Sequence, residues 1–461
     1  MSLQSTIKKS LVILPVLFAL LCVSSCSSFT IKMKSLPEIY ETSRNLKGQC
    51  TPVMLEKVWA LVETRYYREV KPVYLFNTAI LGLMLEGKVS PVAPKSYIDM
   101  DKYNIKYDPY LLWHVIDTTA QASGKSRSDL CYAAISGITM GLDRWTMLIR
   151  PKKTDQYVRQ NYAEKVMGTG IVPLVATKPR LRYFIDTIVR NSPSEQAGLK
   201  RLDELILIGN THVATLKPTQ LIDALRGPDK SMIEVSVKRG EKYLWFRFQR
   251  GPVDYKSAWC NLLEDKRVYC KIHGFNDNTV AQFEEAIREL PRPHRNQLIV
   301  DMRNNPGGLI YSATNLVAKM WLGHKRLAIL ETRQNGFIDF ADTSVDKRPL
   351  LANWQTVFIA DKTTASAGEM MLAAIQDHGA AVIIGQNTYG KGVGQLVTFI
   401  EGAMFRCTTL WVMSPNGRLI EGKGVAPDYK VSWTFQQMTE GRDKQLEVAQ
   451  EYFNAIDKMA P

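Results

Sequence analysis

The sequence predicts a multidomain α+β protein with a helical N-terminal cap, a β-rich middle and an α/β core. Three observations carry this reading. Apolar residues repeat at helical spacing from Met54; short β-type runs with Gly, Pro and Asn between them begin at Gly168; strands alternate with helical patterns from Val253. At 461 residues, 45% of them apolar, the chain is long enough for about three domains and a sizeable core.

The first residues bear on compartment. Lys8 and Lys9 precede an apolar segment, Leu11 to Leu21, which is too short and wrongly flanked for a spanning helix. It ends in Val23-Ser24-Ser25-Cys26, which resembles a bacterial lipoprotein signal and implies lipidation of Cys26 after cleavage. The alternative is an ordinary secretory leader cut nearby. Either leader takes the mature protein out of the cytoplasm. The net charge of +14 is spread over scattered Lys and Arg with no aromatic-interleaved basic motif. It reads as a solvated surface whose natural neighbour is an anionic membrane or wall, and nucleic acid is not an expected partner. Setting aside Cys22 and Cys26 leaves Cys50, Cys131, Cys260, Cys270 and Cys407, an odd set that cannot all pair and so no disulfide scaffold. Cys260 and Cys270 flank an expected hairpin and are either a disulfide or two buried thiols. No Cys/His cluster has metal spacing.

In chain order, residues from about 27 to 50 form a polar tether. Met54, Leu55, Val58, Leu61 and Val62 then mark a helix, and a second helical region runs from Tyr110 to Leu142. Ala79-Ile80-Leu81-Gly82-Leu83 is echoed by Ala134-Ile135-Ser136-Gly137-Ile138, as a duplicated helix or by coincidence. This part is expected to be a cap or dimerisation domain. The next texture holds a strand (Glu204 to Ile208), a helix (Pro218 to Leu225) and a strand (Ile233 to Lys238), after a capped turn at Asn191 to Leu199. It resembles a PDZ domain. The resemblance implies that Gly168, Thr169, Gly170, Ile171 and Val172 form a carboxylate-binding loop, and that the following strand accepts a peptide as an added strand.

The core pattern is strand (Val268 to Ile272), helix (Thr279 to Leu290), buried strand (Gln297 to Met302), then Arg303-Asn304-Asn305-Pro306-Gly307-Gly308 and a helix from Tyr311. An apolar run, Thr356 to Ala360, enters a small-residue turn with Ser366 between Ala365 and Ala367, and an Ala- and Met-rich helix follows. Such a junction lifts one side chain clear of the sheet edge beside unpaired helix N–H groups. A strand (Ala381 to Gly385) then leads to Gly390-Lys391-Gly392 and Gln395; a strand around Phe405 to Val412 and a helix from about Thr434 to Lys458 finish the chain.

A serine hydroxyl needs a base. The one nearby histidine, in Asp377-His378, falls where the helix after Ser366 should end, which fits a helix cap better than a triad. Lys391 is the candidate base, because a lysine amine works when neutral and its neighbours Gly390, Gly392, Val393 and Gly394 bring no charge. Gln395 orients that amine without adding an anion. The N–H groups of Ala367 and Gly308 are the candidate oxyanion donors. Gly385 to Gly392 is a near miss to a phosphate loop that lacks the Ser or Thr after its lysine. Thr364 to Gly368 approximates an α/β-hydrolase elbow without its first glycine.

These pieces, in this order, resemble the C-terminal processing peptidases, or tail-specific proteases, of serine peptidase family S41. The match runs through the Gly168 loop, Asp301 to Gly308, Thr364 to Glu369, Gly390 to Gln395 and Glu421 to Asp428, covering roughly residues 130 to 432. The resemblance implies a Ser366–Lys391 dyad supported by Gln395, an oxyanion hole of Gly308 and Ala367, and a crotonase/Clp-peptidase-like β/α-sandwich core gated by the PDZ-like domain. One departure stands out: relatives commonly show Leu-Asp-Pro-His-Ser or similar where this chain has Leu142-Asp143-Arg144-Trp145-Thr146, so the packing of cap on core is expected to differ there. The implied layout is 1–26 leader, 27–50 tether, 51–154 helical domain, 155–252 PDZ domain, 253–432 catalytic core and 433–461 C-terminal helix. The expectation is a lipid-anchored, ATP-independent serine endopeptidase of the bacterial envelope, without cofactor or metal, acting on proteins with accessible C-terminal tails. An envelope adaptor partner and a homo-oligomer are left open. The rivals are a non-catalytic PDZ lipoprotein scaffold and a small-ester hydrolase.

Overall fold

Thr51, Asp108 and Ser126 each accept a backbone N–H at a helix start, two of them just before a proline, so side-chain caps punctuate the first part of the chain. The computed structural model describes residues 48–92, 107–154, 166–176, 181–291, 296–342 and 344–459. The leader, Cys26 and nearly all of the tether lie outside these residues. Helices α1 (Pro52–Arg65), α2 (Pro72–Leu85), α3 (Pro109–Ser123) and α4 (Arg127–Leu142) pack together. The region expected as one helical stretch from Tyr110 is two helices, because Gly124 takes a left-handed conformation and ends the first.

The echoed pentapeptides lie on α2 and α4, and their glycines face each other. A Cβ on Gly82 would lie 2.2 Å from the Ala133 carbonyl oxygen, and one on Gly137 would lie 2.1 Å from that of Thr78. The two helices cross backbone to backbone at a point that admits no side chain. This bundle also covers Ile400, Ala403, Phe405 and Cys407 of the core.

Strand β1 (Met147–Ile149) leaves α4. Farther on, β2 (Val166–Gly168) enters a six-stranded sheet of β3 (Ile171–Ala176), β4 (Arg182–Ile188), β5 (Glu204–Ile208), β6 (Thr211–His212), β7 (Met232–Arg239) and β8 (Lys242–Gln249). The strand order is β3-β4-β5-β7-β8 with β6 on β5, and helices α5 (Pro193–Gln196) and α6 (Pro218–Leu225) attend it. Strand β9 (Gly251–Val253) pairs with β2, so the way in and the way out form one ribbon.

The core sheet runs β10 (Ala258–Leu262), β11 (Val268–Ile272), β12 (Gln297–Asp301), β15 (Gln355–Ala360), β16 (Val382–Gly385) and β19 (Tyr429–Lys430), parallel except for β10. Both faces are buried, as continuous apolar runs such as Leu298 to Val300 require. Leu298, Val300 and Phe358 face a core shared with α7 (Thr279–Glu289), α8 (Ile310–Val317) and α9 (Ala367–Asp377). Ile299, Val357 and Ile359 face the final helix. That helix is expected from Thr434 as one element but is broken at Gly441 into α10 (Phe435–Thr439) and α11 (Lys444–Met459). A second sheet of β13 (Arg326–Thr332), β14 (Gly336–Ala341), β17 (Val393–Ile400) and β18 (Ala403–Met413) takes β1 as an edge strand. The architecture is thus mixed α/β.

The middle sheet meets the core through buried charge. Lys271 lies 3.5 Å from Asp186 and 3.2 Å from Asp301, and Arg303 bridges Asp301 (2.5 Å) and Asp443 (2.8 Å). Arg201 adds a 2.9 Å pair to Asp443. Opposite charges hold the Asp443 carboxyl down at about 2 despite its burial. Two disulfides form, Cys50–Cys131 and Cys260–Cys270, and Cys407 is free and buried. The odd count therefore leaves one thiol rather than excluding a disulfide framework. Cys260 and Cys270 sit directly opposite each other on β10 and β11. No helix among the described residues is long and apolar enough to cross a membrane.

Candidate active site

Neighbouring parallel strands β12 and β15 both end at one edge of the core sheet, where open α/β sheets place their ligands. From β12 comes the loop Arg303 to Gly308; from β15 comes the turn that presents Ser366. Ser366 has φ +57°, a conformation that L-residues other than glycine rarely adopt. It stands just before α9, as a nucleophile elbow requires. Gly307 lies against that turn with φ +93°, and Gly308, with φ +141°, packs on the Phe275 backbone. A Cβ on Gly307 would sit 2.7 Å from Ser366 Cβ and 3.0 Å from the Ala367 nitrogen, so only glycine allows this approach. Phe275 N–H donates to the Gly307 carbonyl and Leu309 N–H to the Phe275 carbonyl, which pins the loop. Among the described residues, neither the Gly308 nor the Ala367 N–H donates to a protein acceptor. The Ala367 donor adjoins the serine, and the Gly308 donor follows the glycine that touches the serine turn.

Lys391 lines the same cavity as Ser366, together with Ile310, Met370, Val393, Val412 and Ile420. Its Nζ donates to Gln395 Oε1 at 3.0 Å, and Gln395 Nε2 donates to the Trp145 carbonyl at 2.7 Å. No carboxylate among the described residues forms an ion pair with this amine. Burial is the main cause that pushes the Lys391 amine below its ordinary value, and Arg406 pushes the same way. Glu421, Asp143 and Glu369 act in the opposite sense. The cavity measures ≈ 10 Å³, about the room one water needs.

Several residues of the site went unassigned in the sequence reading. Glu369 is fully buried and accepts four hydrogen bonds: from Ser366 N–H (2.8 Å), Lys391 N–H (2.7 Å), Gly390 N–H (2.6 Å) and the Thr388 hydroxyl (2.5 Å). One carboxylate thus ties the serine turn to the lysine loop. Its place three residues after Ser366, at the first turn of a helix, is the signal that could have found it. Trp145 lies with its ring 4.9 Å from Lys391 Nζ, and its indole N–H donates to Glu421 Oε1 at 2.9 Å. The cap therefore packs on the core through the very segment that departs from the related pattern. His378 ends α9, away from the serine, and hydrogen-bonds the Arg326 carbonyl.

Gly168 to Val172 lies apart from this cavity, on the middle sheet. Ser194 N–H donates to the Thr169 carbonyl and Val189 N–H to that of Gly170, both at 2.9 Å. Strand β3 follows at the sheet edge, with no strand on its outer side among the described residues. Those residues contain no group of three or more His, Cys, Asp or Glu that could hold a metal.

Residues 266–431 match peptidase family S41. A probable CtpA-like serine protease of Staphylococcus haemolyticus is 26% identical over 66% of this chain and 60% of its own length. The carboxy-terminal processing protease CtpB of Bacillus subtilis is 28% identical over 53% of this chain and 52% of its own. Of solved structures, a photosystem II D1 C-terminal processing protease aligns with TM-score 0.48 and 21% identity over 83% of this chain and 94% of that one. The chain spans only 60% and 52% of the lengths of those two curated relatives.

Proposed function

We propose that the chain, whose residues 266–431 match peptidase family S41, is an ATP-independent serine endopeptidase using a Ser366–Lys391 dyad. Ser366 attacks the peptide carbonyl while Lys391 takes the hydroxyl proton. The oxyanion draws on the N–H groups of Gly308 and Ala367. Lys391 then returns the proton to the leaving amine, and water hydrolyses the acyl-enzyme. The observation that carries this reading is a half-buried amine, held by a neutral amide and in no ion pair among the described residues, in one apolar cavity with a serine at positive φ. The apolar walls of that cavity favour uncharged residues at the cut bond.

The layout 51–154, 155–252, 253–432 and 433–461 is proposed as helical cap, PDZ domain, crotonase-like core and C-terminal helical segment. The open edge of β3 beside the Gly168 loop supports capture of protein C-terminal tails by strand addition. Two disulfides support an oxidising, extracytoplasmic compartment. A lipid anchor at Cys26 would hold the enzyme at the envelope.

The test is mass spectrometry of the soluble form incubated with an unfolded protein. An acyl adduct on Ser366, and loss of cleavage in folded Ser366→Ala and Lys391→Ala, are expected. Full activity in either variant removes that residue from the mechanism. Tail binding with no cleavage by the intact protein would instead make it a scaffold.

A further inference from the structure

The turn Asp143–Thr146 follows the helical bundle yet touches Gln395, Glu421 and Gly390 around the lysine. Asp143 Oδ1 accepts the N–H groups of Trp145 (2.6 Å) and Thr146 (2.7 Å), and Oδ2 accepts the Thr146 hydroxyl (3.0 Å), which fixes the turn. The turn then offers the Trp145 carbonyl to Gln395 Nε2. An amide that donates there presents its oxygen, not its nitrogen, to Lys391, so the Trp145 carbonyl decides which end of Gln395 faces the amine. The indole itself lies beside the amine. Its ring lies 4.9 Å from Lys391 Nζ and 6.0 Å from the Tyr389 ring, and its N–H is anchored on Glu421. Arg144 stacks on the same indole at 4.5 Å while binding Glu421 and the Gly390 carbonyl.

We propose that Trp145 is a positioning residue for Lys391, walling its amine from water and fixing the amide that holds it. The inference rests on the dyad reading given above. The ring acts on the amine in two opposed ways: its π face attracts an ammonium, and its bulk excludes water. Exclusion wins here, because the ring already serves the Arg144 guanidinium, which lies closer to it than the amine does. The charged groups facing Lys391 are Arg406 on β18, Glu421 in the loop before β19, Asp143 in the turn and Glu369 on α9. Of these, Glu421 loses the indole N–H when the ring is cut back but keeps Arg144 and the Gly392 N–H, and any freedom it gains favours the ammonium, as wetting does. Removing the ring therefore wets the amine and raises its affinity for a proton.

The experiment is the pH profile of kcat/KM for an unfolded protein substrate, from pH 5 to 10, with the full soluble chain. Trp145→Ala is expected to move the acid limb upward by about one pH unit, an about tenfold loss near neutrality that vanishes at the alkaline plateau. Trp145→Phe keeps an aromatic wall and loses only the N–H to Glu421, so its limb is expected to move by much less than that of Trp145→Ala. Trp145→Leu carries the test if the alanine variant does not fold, and should move the limb the same way by less. A loss that is equal at all pH values, or an unmoved limb, would overturn the role of Trp145. Fluorophosphonate labelling separates the two levels of the argument. A labelled Ser366 in an active wild type with an unmoved Trp145→Ala limb defeats this inference alone. A wild type that neither cleaves nor labels defeats the dyad and, with it, this inference.

Discussion

Glu369→Gln isolates what the buried carboxylate contributes. The substitution keeps size and shape and replaces one oxygen by an NH₂ group, so the question is which oxygen can be given up. One accepts the N–H groups of Ser366 and Lys391; the other accepts the Gly390 N–H and the Thr388 hydroxyl. An NH₂ at the first position would face two backbone donors that cannot turn away. At the second it faces one such donor, Gly390, and a hydroxyl that can rotate. The hydroxyl already accepts the Val425 N–H at 2.7 Å, so it offers its remaining lone pair. The glutamine therefore settles with its nitrogen toward Gly390 and leaves one buried N–H unpaired. That costs about 1–3 kcal/mol, and the loss of charge from the two surviving bonds adds roughly 1 more. A total of about 2–4 kcal/mol on a core of this size lowers its calorimetric midpoint by roughly 4–16 °C. Because Ser366 and Lys391 keep their anchors, proteolysis below the new midpoint should fall less than in Lys391→Ala. An unchanged midpoint would refute the view that Glu369 clamps the turn and the loop together.

Two other substitutions test the packing elsewhere in the fold. His273 accepts the Trp259 indole N–H through Nε2, which requires a neutral ring, and burial beside Lys271 brings its value down to about 4. Its folded value lies below the unfolded one, so its contribution is complete above about pH 6.5 and is lost as pH falls toward 4. Urea titrations should show about 3 kcal/mol less stability at pH 4 than at 7 from this group, and His273→Gln should flatten that part of the curve. A curve that His273→Gln leaves unchanged would count against it. Gly137→Ala should destabilise by about 2 kcal/mol despite alanine's helical preference, because its methyl would meet the Thr78 carbonyl oxygen at 2.1 Å. Thermal unfolding no lower than wild type would show that the two helices do not cross as closely as described.

Local signals were legible and distant contacts were not. β11 and β12 could be read because a strand buried on both faces is a continuous apolar run between turn signals. The same holds for the Ser366 junction, where a strand, small residues and a helix follow in ten or so positions. The echo between residues 79–83 and 134–138 carried real information, but only folding shows it to be a crossing of two glycines. No spacing rule joins residues 250 positions apart, as Trp145 and Gln395 are, or 140 apart, as Arg303 and Asp443 are. Cys50 and Cys131, 81 residues apart, escaped for the same reason. Such pairs are fixed by how whole elements stack, and each residue alone resembles any surface charge, indole or thiol.

The sequence around Lys391 suggests a base kept neutral by an absence of charge, and the structure calls for a different account. Three carboxylates approach the amine, and any of them could in principle hold it as an ammonium. Each is instead occupied by other donors. Glu369 takes four, Glu421 takes Arg144, the Trp145 indole and the Gly392 N–H, and Asp143 takes two N–H groups and a hydroxyl. A carboxylate whose lone pairs already point at fixed N–H groups cannot turn to meet an ammonium without leaving those groups unpaired in a buried place. The amine is left with an amide oxygen and an indole wall. Its neutrality then depends on how completely the carboxylates are engaged, so a variant that frees one of them, such as Arg144→Ala at Glu421, should leave less of the lysine in its neutral form at neutral pH. The acid limb of the pH profile would move upward without any change in the serine turn; a downward shift would mean that Arg144 acts on the amine in some way other than by holding Glu421.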